Sequence, residues 1–137
     1  MKFWRKSKSV HDRDLGLLTC HRKPFVHWAS ENIPTPAGDV LINVPGSEVA
    51  PSASALALAK KLLAQPQAVV ASAISYVRGN PTAQEFIEGE GDLTLDGFSF
   101  TDVPGAFHVS LALSKWPDAM INVEFLEGIP CGVSLAD

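Results

Sequence analysis

A chain of 137 residues is long enough for one domain with a real core, and 46% hydrophobic against 19% charged residues excludes a charge-dominated, unfoldable polypeptide. The formal net charge of −4 hides an asymmetry: seven Lys or Arg oppose Asp12 and Asp14 up to Lys23, whereas from Pro24 onward Lys60, Lys61, Arg78 and Lys115 face thirteen acidic residues. An acidic body argues against nucleic acid as its main partner and for a basic protein.

Residues 1–14 lack apolar periodicity and read as a flexible basic arm, followed by a single α+β domain over 15–137. Phe3 and Trp4 among basic residues could touch an anionic membrane surface, but that apolar patch is too small for firm attachment. The basic start is not followed by the apolar run of a signal peptide, and no segment offers the roughly 20 uninterrupted apolar residues of a membrane span. Cys20 and Cys131 are too few for a disulfide scaffold. These features predict a cytoplasmic protein with reduced thiols and no stable membrane insertion.

Leu15 to Cys20, Phe25 to Ala29 and Val40 to Val44 are rich in β-branched and aromatic residues and read as three front strands, their order left open. Pro34 and Pro36 place Ile33 to Gly38 in a turn or loop. A first helix, capped by Ser52 or Ser54, runs to Ala64 with Leu56, Ala59, Leu62 and Leu63 on one stripe. A second begins near Pro66, carries Val70, Ile74 and Val77 inward, and stops at Gly79, suited to a left-handed C-terminus. Thr82 and Glu85 have the spacing of a capping box for a short third helix.

The last third predicts an antiparallel β-meander with two to three helices packed on one face. Leu93 to Leu95 and Phe98 to Phe100 flank Asp96-Gly97, a dipeptide suited to a type I′ hairpin turn. Phe107, Val109, Leu111 and Leu113 then alternate with His108, Ser110 and Ala112, and Ala119, Ile121, Val123 and Phe125 with Met120, Asn122 and Glu124. Trp116-Pro117-Asp118 is expected to turn between them, and Glu127-Gly128 before the strand Ile129 to Leu135. Pro130, without an amide donor, puts that final strand at a sheet edge or leaves Pro130 outside the ladder, and an edge position would make a homodimer possible.

No spacing in the chain is a catalytic or metal-binding signature, and no cofactor is expected. Cys20 and His21 are strand neighbours, so their side chains point apart. A hairpin centred on Pro117 would set Ser110 opposite Glu124 with His108 on the diagonal, but without a nucleophile elbow or oxyanion hole this reads as a polar outer sheet face. His108, Ser110, Asn122 and Glu124 are therefore candidate binding residues. Glu85, Glu88, Glu90 and Asp92, spaced by Gly89 and Gly91, form an acidic corner that could meet a basic partner. Trp116, in its expected turn, reads first as a packing residue and, if it does not fold back on the sheet, as a candidate binding anchor.

The succession His11-Asp12-Arg13-Asp14-Leu15-Gly16, Trp28, Val40 to Val44, the helical pair within Ala53 to Val77, and Val123-Glu124-Phe125-Leu126-Glu127-Gly128-Ile129-Pro130 resembles uncharacterised bacterial α+β domains of unknown function. Such domains are similar to small immunity-type proteins found near toxin genes. The resemblance implies a non-enzymatic protein-binding domain that occludes a toxin, and it carries no active-site residues. The alternative expectation is a small enzyme or ligand-binding domain with a pocket between helices and sheet, using His108 and Glu124.

Overall fold

The computed structural model describes residues 8–137, so the first half of the expected basic arm lies outside the described residues. Eight strands form one sheet in strict chain order: β1 (Ser9–Asp12), β2 (Gly16–His21), β3 (His27–Thr35), β4 (Gly38–Pro45), β5 (Leu93–Phe100), β6 (Ala106–Leu113), β7 (Trp116–Leu126) and β8 (Ile129–Ala136). Every neighbouring pair is antiparallel except β4 and β5, which run parallel through Leu41↔Gly97, Ile42↔Phe98 and Asn43↔Ser99. A parallel pair needs a long crossover, and α1 (Ala53–Ala64), α2 (Gln67–Arg78) and α3 (Pro81–Ile87) supply it.

This corrects the expected architecture. The protein is not an α+β antiparallel meander with helices packed on one face; it is one mixed eight-stranded sheet carrying three short helices. Four strands precede the helices and join the same sheet as the four that follow. Local periodicity identifies a strand but not its distant neighbour, so the parallel junction was invisible to it.

The Asp96-Gly97 hairpin is also overturned. β5 runs straight through both residues, with a bulge between Leu95 and Gly97. The bulge adds one residue, so Leu95 and Phe98 both turn toward the core although they are an odd number of positions apart. Gly97 serves close approach: a Cβ there would lie 2.3 Å from the Leu41 carbonyl oxygen on the parallel neighbour. A genuine two-residue turn occurs at Glu127-Gly128, where φ is +52° and +81° and Leu126 pairs with Ile129.

Other boundaries move for stated reasons. Ser9–Asp12 is a strand paired with β2, so this part of the expected arm belongs to the sheet. Asp12 closes the turn that follows, its carboxylate accepting from the Asp14 and Leu15 amides at 2.8 and 3.0 Å and meeting Lys60 Nζ of α1 at 2.9 Å. β3 continues through Pro34, which pairs in register with Asp39, and only Pro36 and Ala37 form the turn. Asn80, not Thr82, caps α3 by accepting from the Ala83 amide at 3.0 Å. Gly79 ends α2 at φ −86°, without a left-handed conformation.

Alternate strand residues build the core: Leu18, Trp28, Ile42, Phe98, Val109, Ile121 and Val123 are all essentially inaccessible. α1 lies against β4 and β5, and α2 against β7 and β8. The deepest helical contacts are Ala55, Ala59, Ala73, Val77 and Ala83, while the predicted Leu56, Leu62, Leu63, Val70 and Ile74 sit half-buried around them. Small residues at the contact let the helices approach the aromatic layer closely. Trp28 is sealed by the chain leaving β4, its indole N–H donating to the Ser47 carbonyl at 2.9 Å.

Candidate binding face

Strand alternation that sends Trp28, Ile42, Phe98 and Val109 into the core sends their neighbours to the opposite side of the sheet. Cross-strand pairing lines these up in rows. One row crosses the whole sheet through Ser9, Thr19, Ala29, Asn43, Ser99, His108, Glu124 and Gly132; the next passes through Leu41, Gly97, Ser110, Asn122 and Ser134.

The structure therefore brings His108, Ser110, Asn122 and Glu124 together on this face, but in a different register from the expected one. Ser110 is opposite Asn122, to whose Oδ1 it donates at 2.7 Å, and His108 is directly opposite Glu124. The turn lies at Ser114-Lys115, with Leu113 paired to Trp116, and an irregularity after Leu111 absorbs the difference. Pro117 sits inside β7 instead of at the hairpin tip. A shift of two residues conserves the face, which is why the four residues stay together.

His108 Nε2 lies 3.9 Å from Glu124 Oε1, beyond hydrogen-bond length, and both side chains are well exposed. The glutamate leans across Gly132, where a Cβ would come within 3.1 Å of Oε2. Asn43 Nδ2 donates to Ser99 Oγ at 3.5 Å, extending the polar row across the parallel junction. An open depression of about 190 Å³ spans Leu41, Asn43, Ser99, His108, Ser110 and Asn122.

Sequence reasoning missed how far this face extends. His11, Leu17, Thr19, His21, His27 and Glu31 share it by register and alternation, so all four histidines of the chain stand on one side of the sheet. The His21 and His27 rings stack at 5.2 Å between centroids, and His27 Nδ1 lies 3.0 Å from the Phe25 carbonyl. The period-two pattern of residues 16–21 and 27–31 carries this information, but only once the strand order is known. Leu17 and Met120 add exposed apolar surface. None of the eight strands contains a Lys or Arg, and the carboxylates that alternation places on this face are Glu31, Asp39, Asp96, Asp118 and Glu124, beside the four histidines.

The remaining candidates lie apart from this face. Trp116 is half-buried and lies tilted against Phe86 of α3 with centroids 4.8 Å apart, so it packs against the core as its first reading had it. The backbone at Glu90 and Asp92 is committed to the Ser114-Lys115 turn, with Lys115 N–H donating to the Glu90 carbonyl at 2.9 Å and the Asp92 N–H donating to Ser114 Oγ at 2.8 Å. Glu85, Glu88 and Asp92 are exposed there. Among the described residues no three His, Cys, Asp or Glu side chains converge as a metal site, and no helix is long and apolar enough to cross a membrane. No known family, curated protein or solved structure matches the chain.

Proposed function

We propose that this chain is a non-enzymatic, cytoplasmic bacterial protein-binding domain that docks a basic partner on the uncovered face of its sheet, in the manner of an immunity-like protein occluding a toxin. The single observation that carries this reading is the absence of Lys and Arg from all eight strands. A face holding Glu31, Asp39, Asp96, Asp118 and Glu124 on strands that carry no Lys or Arg attracts positive charge and repels an acidic surface. Half-buried hydroxyl and amide groups of Asn43, Ser99 and Asn122 offer hydrogen bonds, and Leu17 and Met120 offer apolar contact.

The arrangement argues against hydrolysis. A nucleophilic serine needs a base within hydrogen-bond reach, yet Ser110 gives its proton to the Asn122 amide oxygen. The depression beside it holds about 190 Å³, below the roughly 300–1,000 Å³ of ordinary small-molecule pockets; a wider open one of about 340 Å³, lined by Leu17, Thr19, His21, Ala29 and Glu31, lies strands away from Ser110. The test is capture from a native bacterial lysate on the immobilised chain, eluted with a salt gradient. A basic protein released by rising salt is the expected outcome. Failure to recover any stable partner, together with hydrolytic activity that disappears in His108→Ala, would overturn the reading.

A further inference from the structure

The two edges of the sheet are protected unequally. β1 is four residues long, carries Asp12 and His11, and is tied by Asp12 to Lys60 of α1. β8 is eight residues long and contains no charged residue at all. Natural sheet edges are usually blunted by charge, proline or shortness, because unpaired N–H and C=O groups recruit another strand. Pro130 guards only the start of β8, beside the bulge at Glu124 and Phe125. From Gly132 to Ala136 the edge is regular and unguarded.

Burial points the same way. Ile121 and Val123 are fully buried in β7, but their register partners Leu135 and Val133 are only half-buried. The apolar layer thus stops one strand short of being covered. At the adjoining corner Leu126 and Ile129 are 47% and 67% exposed.

We infer that β8 pairs antiparallel with β8 of a second copy of this chain, making one continuous sheet across a two-fold axis at Ser134. The register follows from the regular segment, whose middle residue is Ser134. It sets Val133 against Leu135 of the second copy twice, extending the apolar layer, and Gly132 against Ala136 on the other face. No charges meet, although the chain as a whole is at −4. A basic foreign strand gains nothing from an uncharged edge, whereas an identical one is complementary to it in both hydrogen bonding and apolar row. The pairing also doubles the uncovered face, so that one assembly presents two equivalent docking surfaces.

Light scattering on the purified full chain gives the test, with hydrogen exchange as a second readout. The wild-type protein should show twice the 14.7 kDa chain mass. Ser134→Lys sets two ammonium groups face to face at the axis and should halve that mass, while its circular dichroism and melting curve stay those of a folded protein. Ser9→Lys, on the opposite edge, should leave the dimer intact. Amide protection in residues 132–136 should rise with concentration in the wild type and not in Ser134→Lys. A monomeric wild type, or a dimer that survives Ser134→Lys with no added protection in β8, would overturn the inference.

Discussion

The two faces of this sheet share a backbone and differ in what their side chains are for. Facing the helices, Trp28, Phe98, Phe107, Phe125 and Ile121 are sealed from water, and the Phe107 and Phe125 rings stack at 5.0 Å. On the other side, residues one position away carry hydroxyls, amides, carboxylates and imidazoles, half exposed and spaced by Ala29, Gly97 and Gly132. Stability resides in the first set, because apolar burial supports folding whereas exposed polar groups contribute little to it; recognition is what we propose for the second.

The largest effect should come from the sealed side. Trp28→Ala removes a fully buried ring and its indole hydrogen bond, and should cost about 3–5 kcal/mol in urea unfolding. Gly97→Ala probes the seam where the two four-stranded halves meet. Its new methyl group would collide with the Leu41 backbone, costing about 1–3 kcal/mol, although Gly97 lies on the uncovered side. A neutral result there would break the parallel β4–β5 assignment.

Asp12 links β1 to α1. Burial alone pushes its carboxyl upward, but the Lys60 ammonium and the Asp14 and Leu15 amides outweigh burial and hold it below its ordinary 3.8. Its folded form therefore favours the carboxylate, and its stabilising contribution is complete above about pH 3.8 and is lost as pH falls through the lowered value. Asp12→Asn should destabilise the protein by about 1–2 kcal/mol at neutral pH and flatten that acid step, read from urea midpoints across the acid range. The smallest effect belongs to the uncovered face: His108→Ala should move stability by no more than about 0.5 kcal/mol.

How much of this was legible in the sequence differs between regions. Ser52 as a cap, Ala64 as a helix end and the alternation of residues 106–113 and 119–125 could be read directly, since capping and periodicity are local. The face assignment of His108, Ser110, Asn122 and Glu124 survived a wrong turn because the register error was two residues. Asp96-Gly97 misled because the absent side chain that permits a tight turn also permits close strand approach, and only Leu41, distant in sequence, decides between them. The histidines of β1 to β3 escaped notice for the same reason: they join the candidate face only through long-range pairing.

The carboxylates of the uncovered face are what we propose holds a basic partner. Glu31→Lys combined with Glu124→Lys changes two exposed side chains and should leave the unfolding midpoint nearly unmoved. Capture of the partner from lysate by this doubly reversed chain, compared with the wild type at the same salt, tests the claim most directly. The partner should be lost; undiminished capture by a folded variant would show that these carboxylates do not hold it.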